Sequence, residues 1–272
     1  MLAQVALAMV LVCGWLGSVQ AAPSANLWPR WQKNAEQSRQ SIDHSRWATI
    51  LDKYLVTGNP SEINRFRYAT VSSADRQVLQ DYIAALQRVT VTGLNRQEQK
   101  AYWINLYNAL TVEVILGHYP VKSIMDIDIS PGFFSQGPWD AKLLTIEGES
   151  ISLNDIEHRI LRPIFQDNRV HYALNCASLG CPNLQPDPFT AANMEEMLNK
   201  GAREYINHPR GVTVGKKSIQ VSSIYKWFKS DFGGSDSGII DHLLLYARDE
   251  LVTTLGNGKK RLRFDYNWNL NE

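Results

Sequence analysis

The sequence has few cysteines, no phosphate loop and no long basic run, and each shortage closes a class of function. Of its three cysteines, Cys13 falls in the apolar first segment, leaving Cys176 and Cys181 for the rest of the chain. Their spacing is neither the C-x-x-C of thiol oxidoreductases nor a familiar zinc knuckle, so no metal site is assigned. Without a glycine-rich phosphate loop, nothing demands a nucleotide, and no cofactor is named by the sequence. Net charge is only +1, and no basic run interleaved with aromatics occurs, which argues against a nucleic-acid partner. The short basic stretch Lys259–Arg263 alternates into a strand and reads as a solvated face. Beyond the first segment no run reaches the roughly 20 clean apolar residues of a membrane span, so no transmembrane helix is expected in the mature chain. There is no internal repeat and no βαβ series.

Charge is also missing from residues 1–21, where Leu2 to Leu16 form an apolar run followed by Val19-Gln-Ala21, a pattern suited to signal peptidase. A signal peptide over 1–21 with cleavage after Ala21 is expected, and an uncleaved anchor is the alternative. Val12 before Cys13 is too large for a lipoprotein signal. The mature protein is then periplasmic or secreted. In that oxidising compartment the remaining even pair, Cys176 and Cys181, favours a disulfide.

What is present is the composition of an ordinary globular protein, and a chain of 272 residues suits one sizeable core. We expect an N-terminal arm over 22–44 and a single α+β domain over 45–272. In it a buried central helix packs on strands and hairpins and is surrounded by further helices. Ser45 opens a helix with Trp47, Ile50, Leu51 and Tyr54 at helical spacing, and Ser73 opens another carrying Val78, Leu79, Tyr82, Ile83 and Leu86. Asn64 to Val71 reads as extended.

The central helix starts at Asn95-Arg-Gln-Glu98, which has the form of a capping box, and runs to about His118, where Gly117 and Pro120 supply stop signals. From Ala101 to Leu116 it is apolar on nearly every side. Burial makes its polar residues informative, because an unpaired buried amide costs about 1–3 kcal/mol and a carboxylate more. At the helical angle, Asn105 lies about 60° from Asn108 and about 80° from Glu113. The three either anchor loops to this helix or line a cleft.

Next, Pro131 to Trp139 forms a long loop with Phe133, Phe134 and Trp139, of a length suited to a lid or binding loop. Lys142 to Ile146 and the turn at Gly148 predict a hairpin. Ser152 and Asp155 open a helix striped by Leu153, Ile156, Ile160 and Ile164; Glu157 falls inside the stripe as a buried carboxylate, and His158 lies on its flank as an accessible group. Thr190 is expected to cap a helix, Gly211–Val214 and Ser218–Val221 to form a hairpin, and helices to span 224–232 and 238–255. The last strand, 261–268, alternates Leu262, Phe264, Tyr266 and Trp268 against polar neighbours.

The stretch His171-Tyr-Ala-Leu-Asn-Cys-Ala-Ser-Leu-Gly-Cys-Pro182 concentrates the chemistry. Val170 to Cys176 reads as a strand with His171, Ala173 and Asn175 on one face and Tyr172, Leu174 and Cys176 on the other, broken by Gly180 and Pro182. Together with Ala101-Tyr-Trp-Ile-Asn-Leu-Tyr-Asn-Ala-Leu110, Tyr119-Pro-Val-Lys-Ser-Ile124 and Ser152-Leu-Asn-Asp-Ile-Glu-His-Arg-Ile-Leu-Arg162, this stretch resembles the domain-of-unknown-function family 547, from about Ser45 to the C-terminus. The resemblance implies a fold and a candidate site. Because that family includes fusions to glutaredoxin-like modules, it also implies thiol chemistry, with no established activity.

Three readings stay open. Cys176 and Cys181 form a structural disulfide in a non-catalytic module that binds a small molecule or envelope peptide. Alternatively, Cys176 is a nucleophile helped by His171 or His158, with Asn175 or a buried glutamate orienting the imidazole; the enzyme is then a hydrolase or transferase acting on a peptide, amide or thioester bond. In the third, the pair has a thiol–disulfide redox role. The candidate catalytic residues are Cys176, His171, His158, Glu113 and Glu157, with Asn105, Asn108 and Asn175 as binding residues.

Overall fold

The computed structural model describes residues 23–132, 136–256 and 261–272. The segment read as a signal peptide, Phe133, Phe134 and Lys259 lie outside them. Ser45–Tyr54 forms α1, followed by the two-residue antiparallel pair β1 (Leu55–Val56) and β2 (Arg65–Phe66). A short 3-10 turn, Tyr68–Thr70, replaces the rest of the extended segment expected there. Ser72, one residue before the expected start, caps α2 (Ser73–Gln87) by accepting from the Asp75 amide.

The central helix is α3, Arg96–His118, and it is buried on nearly every side along its first five turns. Asn95 caps it by accepting from the Glu98 amide, but only half of the expected capping box forms. The Glu98 carboxylate instead accepts from the Ile42 amide at 2.7 Å, tying the N-terminal arm to the helix. Leu144–Ile146 (β3) and Glu149–Ile151 (β4) make the predicted hairpin. Its turn residues Glu147 and Gly148 both have positive φ, the backbone a two-residue hairpin turn requires.

From Asp155 to Leu161 the chain is a π-helix, which runs into α4 (Arg162–Phe165). Ser152 and Asp155 cap it reciprocally: the Ser152 amide donates to the Asp155 carboxylate at 2.8 Å and the Asp155 amide to Ser152 Oγ at 3.1 Å. The wider turn changes the angular spacing of the side chains, and π segments of this kind gather at functional sites. His158, expected on the accessible flank, is buried beside Glu157.

After the thiol stretch come α5 (Met194–Ile206), β5 (Val212–Val214), β6 (Ser218–Ser222) and α6 (Ile224–Trp227). Thr190 and Asn193 bond to one another, so α5 begins four residues after the expected cap. The helix predicted over 224–232 divides into α6 and a 3-10 turn, Lys229–Phe232; the one over 238–255 divides into α7 (Asp236–Leu244) and α8 (Asp249–Gly256). The strand β7 (Arg261–Asp265) stops before Tyr266 and pairs parallel to β6, which pairs antiparallel to β5.

The result is an α+β fold with two apolar clusters. The larger surrounds α3 with α1, α2, the β3–β4 hairpin and the π segment; the smaller lies between α5, the three-stranded sheet and α7. The thiol stretch runs between them, with Tyr172 in the smaller cluster and Ala173, Leu174 and Ala177 in the larger. Among the described residues no helix is long and apolar enough to cross a membrane.

Candidate functional site

The strand expected over 170–176 does not form. Asn168–Tyr172 is a 3-10 turn, and the residues after it are irregular. Among the described residues the stretch has only the isolated antiparallel bridge Ser178–Leu270, and side chains satisfy much of the rest of its backbone. Asn108 of α3 does this most directly: its Oδ1 accepts from the Asn175 amide and its Nδ2 donates to the Ala173 carbonyl, both at 2.9 Å. Asn175 in turn donates to the Pro182 carbonyl at 2.8 Å and accepts from the Ala177 amide at 2.9 Å, which holds Ala177 at φ 59. Both asparagines are thus framework for the loop.

The C-terminal tail closes over this loop. Leu179 and Gly180 donate to the carbonyls of Asn269 and Asn267, each at 2.8 Å, and Asn271 donates to the Ala177 carbonyl at 3.1 Å. A Cβ on Gly180 would meet the Asn267 backbone N and O at 2.9 Å, so only glycine admits this approach. The pairing lays Tyr266 over the sulfurs. Its hydroxyl is 3.2 Å from Cys176 Sγ and 3.1 Å from Cys181 Sγ, and Ser178 Oγ donates to it at 3.0 Å.

The expected disulfide is not present: Cys176 and Cys181 are both free, and the Cys176 amide donates to Cys181 Sγ at 2.9 Å. The two sulfurs sit in unequal surroundings. Burial opposes ionisation of Cys181, but hydrogen bonds from the Cys176 thiol, Tyr266 and the Cys176 amide outweigh it and lower the thiol from 9.0 to about 6. Cys176, hydrogen-bonded to that sulfur and buried, is pushed up and keeps its proton. No imidazole touches either sulfur among the described residues; a tyrosine and a second thiol do the work expected of histidine.

The histidines form a second cluster facing the same cavity. His171 Nε2 lies 2.8 Å from Asp231 Oδ2, and its ring stacks on Phe228 at 4.1 Å. Arg162 donates to both oxygens of Asp231, at 2.6 and 3.0 Å, and its Nη1 lies 3.2 Å from His158 Nδ1. Burial works against ionisation of Asp231, yet the bonds from His171 and Arg162 hold it well below the usual carboxylate range. Burial keeps both histidines neutral, lowering His171 below its usual value and His158 to about 3, the latter helped by Arg162.

Glu157 is the group these residues surround. Tyr107 donates to its Oε2 at 3.3 Å, while His171 Nδ1 and His158 Nδ1 stand 3.7 and 4.0 Å from Oε1, beyond hydrogen-bond reach. Burial raises its pKa from 4.5 to about 7, with Arg162 and Tyr107 pulling part of the way back. A carboxyl that titrates near neutrality can both give and take a proton.

A cavity of ≈ 580 Å³ joins the two clusters: Glu157, His158 and His171 line one side, Cys176 and Cys181 another. Much of the remaining wall is aromatic, with Trp139, Trp227, Tyr266 and Trp268 beside the carboxylates Asp140 and Asp265. Gln136 and Trp139, from the segment expected to form a long loop, line the cavity.

Two expected site residues are elsewhere. Glu113 binds Arg76 at 2.8 Å and Gln80 at 2.9 Å on α2, and it does not line the cavity. Asn105 exchanges hydrogen bonds with the Phe189 backbone, at 2.7 and 3.0 Å, and lies 3.2 Å from His44 Nε2, fixing the loop before α5. The sequence reading missed Asp231, Ser178 and Tyr107. Asp231 lies 60 residues after its partner His171 in a turn with no periodic signal. Phe264, Tyr266 and Trp268 were readable as one face of the last strand, and all three line the cavity.

Residues 91–206 match a family model described as "Protein of unknown function, DUF547". No curated protein and no solved structure matches the chain. The matched span runs from the turn before α3 to the end of α5, so it takes in Glu157, His158, His171 and both sulfurs. Asp231 and the C-terminal aromatics lie beyond it.

Proposed function

We propose, for a chain that belongs to the DUF547 family, a thiol-dependent hydrolase or transferase acting on a peptide, amide or thioester bond. One observation carries the reading: a single cavity is lined by Cys181, whose sulfur accepts from the Cys176 amide and the Tyr266 hydroxyl, and by the buried Glu157, whose carboxyl is pushed up by burial. The Cys181 thiolate attacks the carbonyl carbon, and the bond to the leaving group breaks as protonated Glu157 gives that group its proton. Water or an acceptor then attacks the Cys181 thioester, Glu157 takes back a proton, and the thiolate departs. Tyr266 donates to the reacting sulfur, and Ser178 donates to Tyr266. His171 and Asp231 are positioning residues: Asp231 fixes the proton on His171 Nε2, which leaves Nδ1 as a lone pair toward Glu157.

The test compares p-nitrophenyl acetate, whose leaving group needs no proton, with p-nitroacetanilide, whose leaving group does. Cys181→Ala is expected to reduce release from both to background and to abolish the acetyl adduct seen by intact mass. Glu157→Gln should slow the anilide by about 10²-fold or more and the ester far less. Release from the ester unchanged in Cys181→Ala would remove the thiol from the mechanism.

A redox reading is favoured by one contact, the hydrogen bond shared between the two thiols. The apolar residues 1–21 support placing the protein in the periplasm or outside the cell, where such a pair can oxidise. Intact mass after alkylation, with and without prior reduction, decides it: two labels without reductant leave the thiol enzyme, and none until reduction makes the disulfide the resting form.

A further inference from the structure

The charged groups on the cavity wall are of one sign. Asp140 and Asp265 line it beside Glu157, whose carboxyl is raised by burial to about 7 and so is only partly ionised at neutral pH, and no lysine or arginine does among the described residues. Two guanidiniums stand behind the wall: Arg162 is paired with Asp231, and Arg210 donates to the Leu179 carbonyl and to Asn183 on the Cys181 side. Glu157, which lines the cavity, is 8% exposed, and the imidazole nitrogens nearest its Oε1 stand 3.7 and 4.0 Å away, leaving that oxygen able to accept from a ligand.

Opposite stand aromatic faces that no cation of this chain covers. Trp227, Tyr266 and Trp268 form a closed triangle with ring centres 4.8, 5.4 and 4.6 Å apart, and Trp139 joins it 5.9 Å from Trp268. Arginines and lysines do lie over rings elsewhere in the protein, on Trp28, Trp31, Phe165 and Phe228 among others, but over none of these four. Aromatic faces and carboxylates around one space attract the same kind of group, a cation with an apolar stem.

We propose that the cavity selects a positively charged amine, an ammonium group on a short alkyl chain. It donates to Glu157 Oε1 and lies against the Trp227 and Trp268 faces, in the field of Asp140 and Asp265. Calling that amine part of the substrate rests on the acyl-transfer reading; its binding does not. For an enzyme acting on amide bonds, an amine is the leaving group or the acceptor, so the preference names the side of the bond that this wall receives.

The test reads binding without turnover, by quenching of tryptophan emission in the full chain under reductant. The probes are n-pentylamine, n-pentanol, tetramethylammonium and a lysine residue acetylated and amidated at its ends. Pentylammonium and the lysine derivative are expected to saturate the quench, with pentanol at least about tenfold weaker and binding weakened as salt rises from about 20 mM to about 500 mM. Asp265→Asn should weaken pentylammonium about fivefold and Trp268→Leu about threefold. Tetramethylammonium, which has no N–H, should bind less tightly than pentylammonium. Pentanol binding as well as pentylamine, or Asp140→Asn/Asp265→Asn leaving affinity unchanged, overturns the proposal. Quench by the lysine derivative alone assigns the site to a peptide side chain, and an equal response to pentylamine assigns it to free amines as well. Cys181→Ala should keep the preference for ammonium over pentanol whether or not the thiol is catalytic, so the two ideas fail separately.

Discussion

Replacing Glu157 with glutamine should leave a pH signature in stability that no loss of packing would produce. Burial raises this carboxyl from 4.5 in the unfolded chain to about 7 in the folded one. Between those values the folded protein binds more protons than the unfolded, so its stability falls as pH rises through the window. The loss is complete above about pH 7 and amounts to about 3 kcal/mol. Glutamine has no proton to lose. The buried amide leaves an N–H₂ near His158 and His171 without a close partner, a cost of about 1–3 kcal/mol at every pH. The difference between variant and parent should therefore move in favour of the variant by about 3 kcal/mol between about pH 4.5 and about pH 8. Urea unfolding under reductant at several pH values measures it. His158 and His171, both lowered by burial, destabilise parent and variant alike below about pH 6.5. Cys181 acts in both as well, and these contributions cancel to first order in the difference. A difference that stays flat across the window would refute the raised carboxyl and, with it, the acid assigned to the proposed reaction.

Other perturbations separate site from scaffold. Alkylation of Cys181 by iodoacetamide should show a midpoint near pH 6, and Tyr266→Phe, which removes a donor to both sulfurs, should move it toward the usual thiol value. Gly180→Ala places a methyl 2.9 Å from the Asn267 backbone and should cost about 1–3 kcal/mol in unfolding experiments while slowing that alkylation, because the tail carrying Tyr266 must shift. Asn108→Ala and Asn105→Ala each remove hydrogen bonds to buried backbone and should each destabilise by about 2–4 kcal/mol. Only Asn108→Ala should alter thiol reactivity. Glu113→Gln breaks a half-exposed ion pair with Arg76 and should change stability by less than about 1 kcal/mol, leaving the ester reaction as it was.

The sequence by itself determined the elements that rest on local chemistry. The all-round burial of α3 followed from its unbroken apolar composition, the β3–β4 turn from Gly148, and the buried state of Glu157 from its place in an apolar stripe. It also marked the thiol stretch as the candidate site, and both of its sulfurs line the cavity. Only the tertiary structure decided how that stretch is held and what its groups do. Alternation predicted a strand there, but a strand needs a neighbour, and Asn108 and the C-terminal tail supply the hydrogen bonds in its place. The π-helix turned His158 inward because its wider turn departs from the angle on which the stripe was drawn. Both sulfurs share a hydroxyl from a tyrosine 85 residues beyond Cys181, and His171 finds its carboxylate partner in an aspartate 60 residues away. Hydrogen bonds and burial act through distance in space, and over such separations the spacing of residues along the chain carries none of it.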